Sequence, residues 1–171
     1  MAQTATTIID LSRLSLAHGE GSRLDLPVAL DAFELGGQTY RPDPATPTVR
    51  LDVSRPSNGF AFRLAFEVHL VGPCMRCLEP GAMDLEVEAR EVHQNGTEDP
   101  ELHSPYVEDD ELEIGRWAHD AVLLALPARF LCRPDCAGLC PICGESLNEN
   151  PHEHEQPTDP RWAALKDLKL E

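Results

Sequence analysis

The sequence predicts an α+β fold, in which an antiparallel, barrel-like or sandwich-like sheet precedes one helix and a cysteine-rich segment. Apolar side chains alternate with polar ones through much of residues 22–93, as in strands that are buried on one face. The apolar spacing then changes to the helical period in residues 111–127. Successive strands without long crossovers favour antiparallel pairing.

The chain has 171 residues, a length that suits one domain with an appendage. Three parts are predicted: a β-rich domain over residues 1–93, an acidic loop over 94–113, and a C-terminal region over 114–171. The last part combines the helix, the cysteine-rich segment and a terminal helix.

A short helical or turn-like opening is predicted for residues 6–21, which end in two glycines. Strands are predicted for residues 22–30, 48–54, 60–72 and 83–93. The clearest strand places six apolar side chains on one face: Phe60, Phe62, Leu64, Phe66, Val68 and Leu70. Pro27 marks the first of these strands as an edge strand.

Two helices follow the predicted strands. Residues 111–127 carry an apolar stripe at helical spacing, and Pro127 ends it. Residues 159–170 are predicted to form a short terminal helix, with Asp159 as the N-cap and Pro160 at the first helical position.

Acidic residues are concentrated in one part of the chain. The formal net charge is -16, from 14 basic and 30 acidic residues, and residues 82–113 hold twelve of the acidic residues beside one arginine. This balance excludes a generally basic nucleic-acid coat. Residues 94–113 are predicted to be a solvated loop, too polar to join the core. The alternative interpretation is that the acidic stretch docks on a basic protein or mimics nucleic acid.

The sequence carries no sign of a membrane or secretory segment. No apolar run reaches the ~20 residues that a bilayer span requires, and the N-terminus lacks a basic start and an apolar core. We therefore expect a soluble, cytoplasmic protein whose cysteines stay reduced.

The segment CRPDCAGLCPIC predicts a structural zinc site. The preferred ligands are Cys132, Cys136, Cys140 and Cys143, in a zinc-knuckle segment. His152 and His154 are alternative ligands, and the second choice replaces Cys132 with His154. Four thiolates close the coordination sphere, which argues against a catalytic metal. The opposing interpretation is a set of redox-labile or inert thiols without metal.

The second motif, CMRC at residues 74–77, admits three interpretations: a tight hairpin end, a thioredoxin-type redox pair, or a half-site shared with Cys140 and Cys143. Arg76 lies between the two cysteines of this motif and is a candidate phosphate contact. No nucleophile, base and orienting group occur together in a known catalytic motif, so we expect no enzymatic activity.

The ordered motifs GPCMRCLEP, LLALP, CRPDCAGLCPICGESLN and DPRWAALKDL resemble the bacterial YceD family, the large ribosomal RNA subunit accumulation proteins. The resemblance extends over roughly residues 8–170. It implies an accessory role in 23S rRNA synthesis or processing and assigns no catalytic residue. Related sequences often carry a C-x-C pair where this chain has His152, Glu153 and His154, which leaves the zinc ligands open.

Two functions from different classes follow. The first is a non-enzymatic factor for large-subunit biogenesis that binds pre-rRNA, or a basic ribosomal or assembly protein, and takes no small-molecule substrate. The alternative is a zinc-binding protein-interaction module without an RNA role. A thiol redox protein that uses Cys74 and Cys77 is a third, more distant interpretation.

Overall fold

The computed structural model describes residues 7–97 and 99–154. It contains nine strands and one α-helix, α1, in the described part of the chain. The strands are β1 (Ile9–Asp10), β2 (Gly21–Pro27), β3 (Phe33–Leu35), β4 (Gln38–Pro42), β5 (Thr48–Ser54), β6 (Phe60–Pro73), β7 (Pro80–His93), β8 (Val107–Glu108) and β9 (Glu111–Leu112), and α1 is Ile114–Ala125. The predicted helix over 159–170 lies outside the described residues.

The long hairpin of β6 and β7 is the centre of the main sheet. Its antiparallel ladder runs from the pair Phe60 and His93 to the pair Pro73 and Pro80. β7 therefore occupies one edge of β6 along its whole length, while β5 and β4 share the other edge. β2 pairs with β5, and β3 pairs with β4.

The antiparallel, sheet-dominated fold with one helix confirms the main prediction. The described strands form two open sheets, one of six strands and one of three, so a barrel or sandwich is not confirmed. The β3–β4 hairpin was not predicted, although its turn carries a recognisable signal. Gly36 and Gly37 have φ values of 58° and 77°, the left-handed conformation that a two-residue hairpin turn requires.

One face of the sheet and one face of α1 form the core. The alternate apolar residues of β6 point inward, as their spacing predicts, and are buried. The helix buries five side chains against this face: Ile114, Trp117, Ala118, Ala121 and Val122. Trp117 lies edge-on to Phe62, with ring centroids 6.3 Å apart. The observed helix ends two residues before Pro127, as predicted.

The opening is turn-like in its described part, as predicted, with β1, a 3₁₀ helix over Leu11–Arg13 and a turn at residues 18–19. The prediction for the acidic segment needs correction. The segment 94–113 is wrongly predicted to stay outside the core, because Leu112 is fully buried and pairs with Ile9. Tyr106 and Val107 pack partly buried against the same core, and the acids from Glu108 to Glu111 remain exposed.

None of the described helices is long and apolar enough to span a membrane. The longest one, α1, has 12 residues.

A close contact between Tyr40 and Gly72 joins β4 to the end of β6. The Tyr40 ring is almost completely buried, and its hydroxyl donates a hydrogen bond to the Pro73 carbonyl at 3.1 Å. A Cβ atom at Gly72 would lie 2.4 Å from the Tyr40 ring. The Tyr40 ring can pack at this position only because Gly72 has no side chain.

We expect Gly72→Ala to lower the free energy of unfolding by about 1–3 kcal/mol, because the tyrosine must move away from its hydrogen bond. Urea denaturation followed by circular dichroism measures the change. Gly115→Ala is the matched control: its Cβ meets Thr7 at an ordinary 3.5 Å, and alanine favours the helix. Equal stability of the two variants would contradict the proposed role of the contact.

Candidate metal centres

The loop between β6 and β7 presents the first pair of cysteines. The Cys74 amide donates to the Glu79 carbonyl at 2.8 Å, and the Leu78 amide donates to the Cys74 carbonyl at 2.9 Å. These bonds fold residues 74–79 into a tight turn, which agrees with the predicted hairpin end. The Met75 amide also donates to the Phe130 carbonyl at 2.9 Å, so the segment after α1 lies beside this turn.

That segment brings Cys132 and Cys136 against the hairpin cysteines, and we call these four residues the inner cluster. The four sulfur atoms lie within 4.8 Å of one another. The Sγ atoms of Cys74 and Cys136 are 3.8 Å apart, and those of Cys77 and Cys132 are 3.6 Å apart. Tetrahedral zinc with ~2.3 Å bonds to sulfur requires sulfur separations of about 3.8 Å. The inner cluster therefore fits a zinc ion.

Hydrogen bonds favour thiolates at two positions of the inner cluster. Burial alone would raise the pKa of Cys74, but amide hydrogen bonds from Cys77, Arg76 and Cys132 lower that pKa to about 6. The side-chain amide of Asn148 donates to the Cys136 sulfur at 3.4 Å and lowers the pKa of Cys136. Such donors to a ligand sulfur are typical of metal sites.

The other two positions of the inner cluster favour neutral thiols when no cation is bound. Burial raises the pKa of Cys77, and burial together with hydrogen bonds to neighbouring thiols raises the pKa of Cys132 to about 12. Four close thiolates repel one another, so a cation is required before all of them ionise.

A second group, which we call the outer cluster, contains Cys140, Cys143, His152 and His154. Its four donor atoms also lie within 4.8 Å of one another. The Cys143 sulfur is 3.1 Å from Nε2 of His152, and the rings of His152 and His154 have centroids 4.9 Å apart. Two thiols and two imidazoles are a donor set that zinc accepts.

The structure divides the four cysteines predicted from spacing between these two clusters. Cys132 and Cys136 join Cys74 and Cys77, whereas Cys140 and Cys143 face the histidines. The CMRC motif therefore lies against Cys132 and Cys136, and not against Cys140 and Cys143, the pair with which a shared half-site was considered. The sequence carried a signal for this grouping. CMRC and CPIC share the C-x-x-C spacing, so each supplies two ligands, and a four-coordinate ion at each motif requires two further ligands from elsewhere in the chain.

Arg76 lies at the exposed tip of the hairpin, as predicted. Its carbonyl accepts a hydrogen bond from the Leu139 amide at 3.1 Å, and its guanidinium is 3.5 Å from the Ala137 carbonyl. Gly138, with a φ of 85°, lets the chain approach, since a Cβ there would lie 3.0 Å from the Arg76 carbonyl. Arg76 thus helps to join the hairpin to the cysteine-rich segment, and its contact with phosphate stays a prediction.

The arrangement of the hairpin and the cysteine-rich segment can now be compared with known proteins. The sequence profile described as "Large ribosomal RNA subunit accumulation protein YceD" matches residues 62–169. The chain belongs to the YceD family. The matched region includes most of β6, all of β7, α1, the inner cluster and the outer cluster. No solved structure matches the chain.

Relatives of this YceD family member occur in bacteria and in a plant. An uncharacterized protein of Mycobacterium tuberculosis is 41% identical over 106 residues, which cover 57% of this chain and 50% of the relative. A maize protein named "Large ribosomal RNA subunit accumulation protein YCED homolog 1, chloroplastic" is 30% identical over 77 residues, or 45% of this chain and 22% of the relative. The chain thus spans about half the length of the first relatives and less of the maize protein.

We expect Cys74→Ser to remove one metal ion per chain and to lower the free energy of unfolding by several kcal/mol. The reason is that binding of a structural zinc ion, with an apparent free energy of about 10–16 kcal/mol in zinc-finger peptides, is coupled to folding. Metal analysis by mass spectrometry and urea denaturation provide the two measurements.

Arg76→Ser, in the same loop but without a ligand atom, is the control and should keep its metal. Full metal retention by Cys74→Ser would instead favour the set predicted from spacing, Cys132, Cys136, Cys140 and Cys143.

Proposed function

We propose that this chain is a non-enzymatic accessory factor for the synthesis or processing of 23S rRNA, and so for large-subunit biogenesis. The observation that carries the proposal is the family match over residues 62–169. The name of the maize relative, which refers to accumulation of large-subunit ribosomal RNA, agrees with it. We expect the factor to act in the cytoplasm, where thiols stay reduced.

The proposal assigns the inner cluster a structural zinc ion. Four thiolates occupy every position of a tetrahedral ion and leave none open for substrate or water, as in structural sites. The ion would join the β6–β7 loop to the segment after α1, because Cys74 and Cys77 belong to the loop while Cys132 and Cys136 belong to the segment. The ion would therefore be structural and would take no part in catalysis.

The acidic tip of the β8–β9 hairpin supports contact through a basic protein over direct contact with RNA. Four successive acids, Glu108, Asp109, Asp110 and Glu111, are all exposed there. None of them forms an ion pair with a residue in the described ranges. A like-charged tip repels phosphate and attracts lysine and arginine, which are abundant on proteins that bind rRNA.

Depletion of this protein should selectively lower the ratio of mature 23S rRNA to 16S rRNA and leave unprocessed 23S precursor or its fragments. RNA electrophoresis and sequencing of RNA ends measure both quantities. Wild-type protein should restore the ratio, whereas an empty vector should not. An unchanged ratio would contradict the proposal and favour the interaction module without an RNA role.

Neutralising the tip with Asp109→Asn, Asp110→Asn and Glu111→Gln should slow association with basic large-subunit proteins by about tenfold or more at low salt. Asparagine tolerates the positive φ values of 49° and 62° at Asp109 and Asp110, so the turn is preserved. Biolayer interferometry with purified large-subunit proteins measures the association rate.

The matched control for this experiment is Glu34→Gln with Glu67→Gln and Glu86→Gln, which removes three exposed charges from strands β3, β6 and β7. Its association rate should stay close to the wild-type rate. Equal rates for the tip variant and the wild type would contradict protein docking at the tip. Binding of naked 23S rRNA by the wild type, weakened by Arg76→Ser, would favour direct RNA contact instead.

A further inference from the structure

We propose that the outer cluster is a second, separate zinc site that exchanges its ion more readily than the inner cluster. The proposal requires two ions per chain, which share no ligand. It rests on the inner zinc ion of the proposed function but does not depend on the role in rRNA accumulation.

The fold of residues 139–146 places two thiols of the outer cluster on one side. The Gly144 amide donates to the Cys140 carbonyl at 2.9 Å, and the Cys140 amide donates to the Glu145 carbonyl at 2.8 Å. Gly144 adopts a φ of 76°, which completes the turn. Both cysteines are thereby held on a single knuckle, with Cys140 buried and Cys143 exposed.

The chain then returns to bring two imidazoles to the same place. Leu139 and Ser146 form a β-bridge, and the Asn150 amide donates to the Ser146 carbonyl at 3.0 Å. This turn carries the chain back toward the knuckle. The outer cluster is therefore closed by two linked turns over a short stretch of chain.

The orientation of His152 agrees with metal ligation. Nδ1 of His152 lies 2.8 Å from the Asn150 carbonyl, an acceptor that requires the proton on Nδ1 and leaves a lone pair on Nε2. Nε2 is the atom that faces the Cys143 sulfur at 3.1 Å. Zinc bonded to both atoms would separate them by about 3.5 Å, so a shift of about 0.4 Å accommodates the ion.

The two clusters differ in charge and in exposure, and these differences predict different rates of metal exchange. Two thiolates and two neutral imidazoles balance the charge of Zn²⁺, whereas four thiolates leave a net charge of about -2 on the inner site. In the outer cluster Cys143 and His154 are exposed, whereas in the inner cluster three of the four cysteines are buried. A chelator therefore reaches the outer ion first.

The decisive experiment counts metal ions in the purified full-length chain. Wild-type protein should hold two zinc ions, and His152→Ala with His154→Ala should hold one. His18→Ala with His69→Ala is the matched control, because these histidines lie in neither cluster, and it should hold two. A mild chelator should remove one ion from the wild type quickly and the other slowly, whereas the His152/His154 variant should show only the slow phase.

Cobalt substitution identifies the ligands of each site. Wild-type protein should show the combined spectrum of an all-thiolate site and a mixed thiolate–imidazole site. The His152/His154 variant, and separately Cys143→Ser with His154→Ala, should show the all-thiolate spectrum alone. A wild-type protein with one ion, or a His152/His154 variant that still holds two, would overturn the proposal.

Discussion

The ladder between β6 and β7 is the interaction on which the rest of the structure depends. It aligns fourteen residues of each strand without interruption, from Phe60 and His93 to Pro73 and Pro80. One end of the ladder supports the core, because α1 packs against this hairpin, and the other end holds the turn that contains Cys74 and Cys77. A change of register would move the apolar residues to the opposite face and displace both cysteines.

The acidic tip and the two cysteine-containing clusters lie in different parts of the structure. The concentrated acids lie on the β8–β9 hairpin, whereas the thiols lie beside the far end of the β6–β7 ladder. A zinc ion bound by the thiols would offset part of their charge and so permit a polar segment to fold without a large apolar core. The acidic hairpin remains available for a partner of opposite charge.

The main strands and the helix could be predicted from the sequence, because the spacing of apolar residues follows the buried face of each element. The alternation in residues 60–70 is the clearest case. The same patterns are uninformative for two-residue strands such as β1 and β9, whose pairing depends on contacts between distant segments. Cysteine spacing identified candidate metal ligands but not their grouping into two clusters. Cys74 and Cys136 meet only because a hairpin and a helix intervene, and local spacing contains no information about that path.

The inner cluster also has a topological consequence. Cys77 and Cys132 are 55 positions apart, and the chain between them includes β7, the acidic hairpin and α1. An ion held by both ends converts this stretch into a closed ring. Local opening of the helix or of β7 must then occur inside a loop of fixed circumference, which restricts the gain in chain entropy that drives such opening. A bound ion would thus protect this third of the chain from fraying.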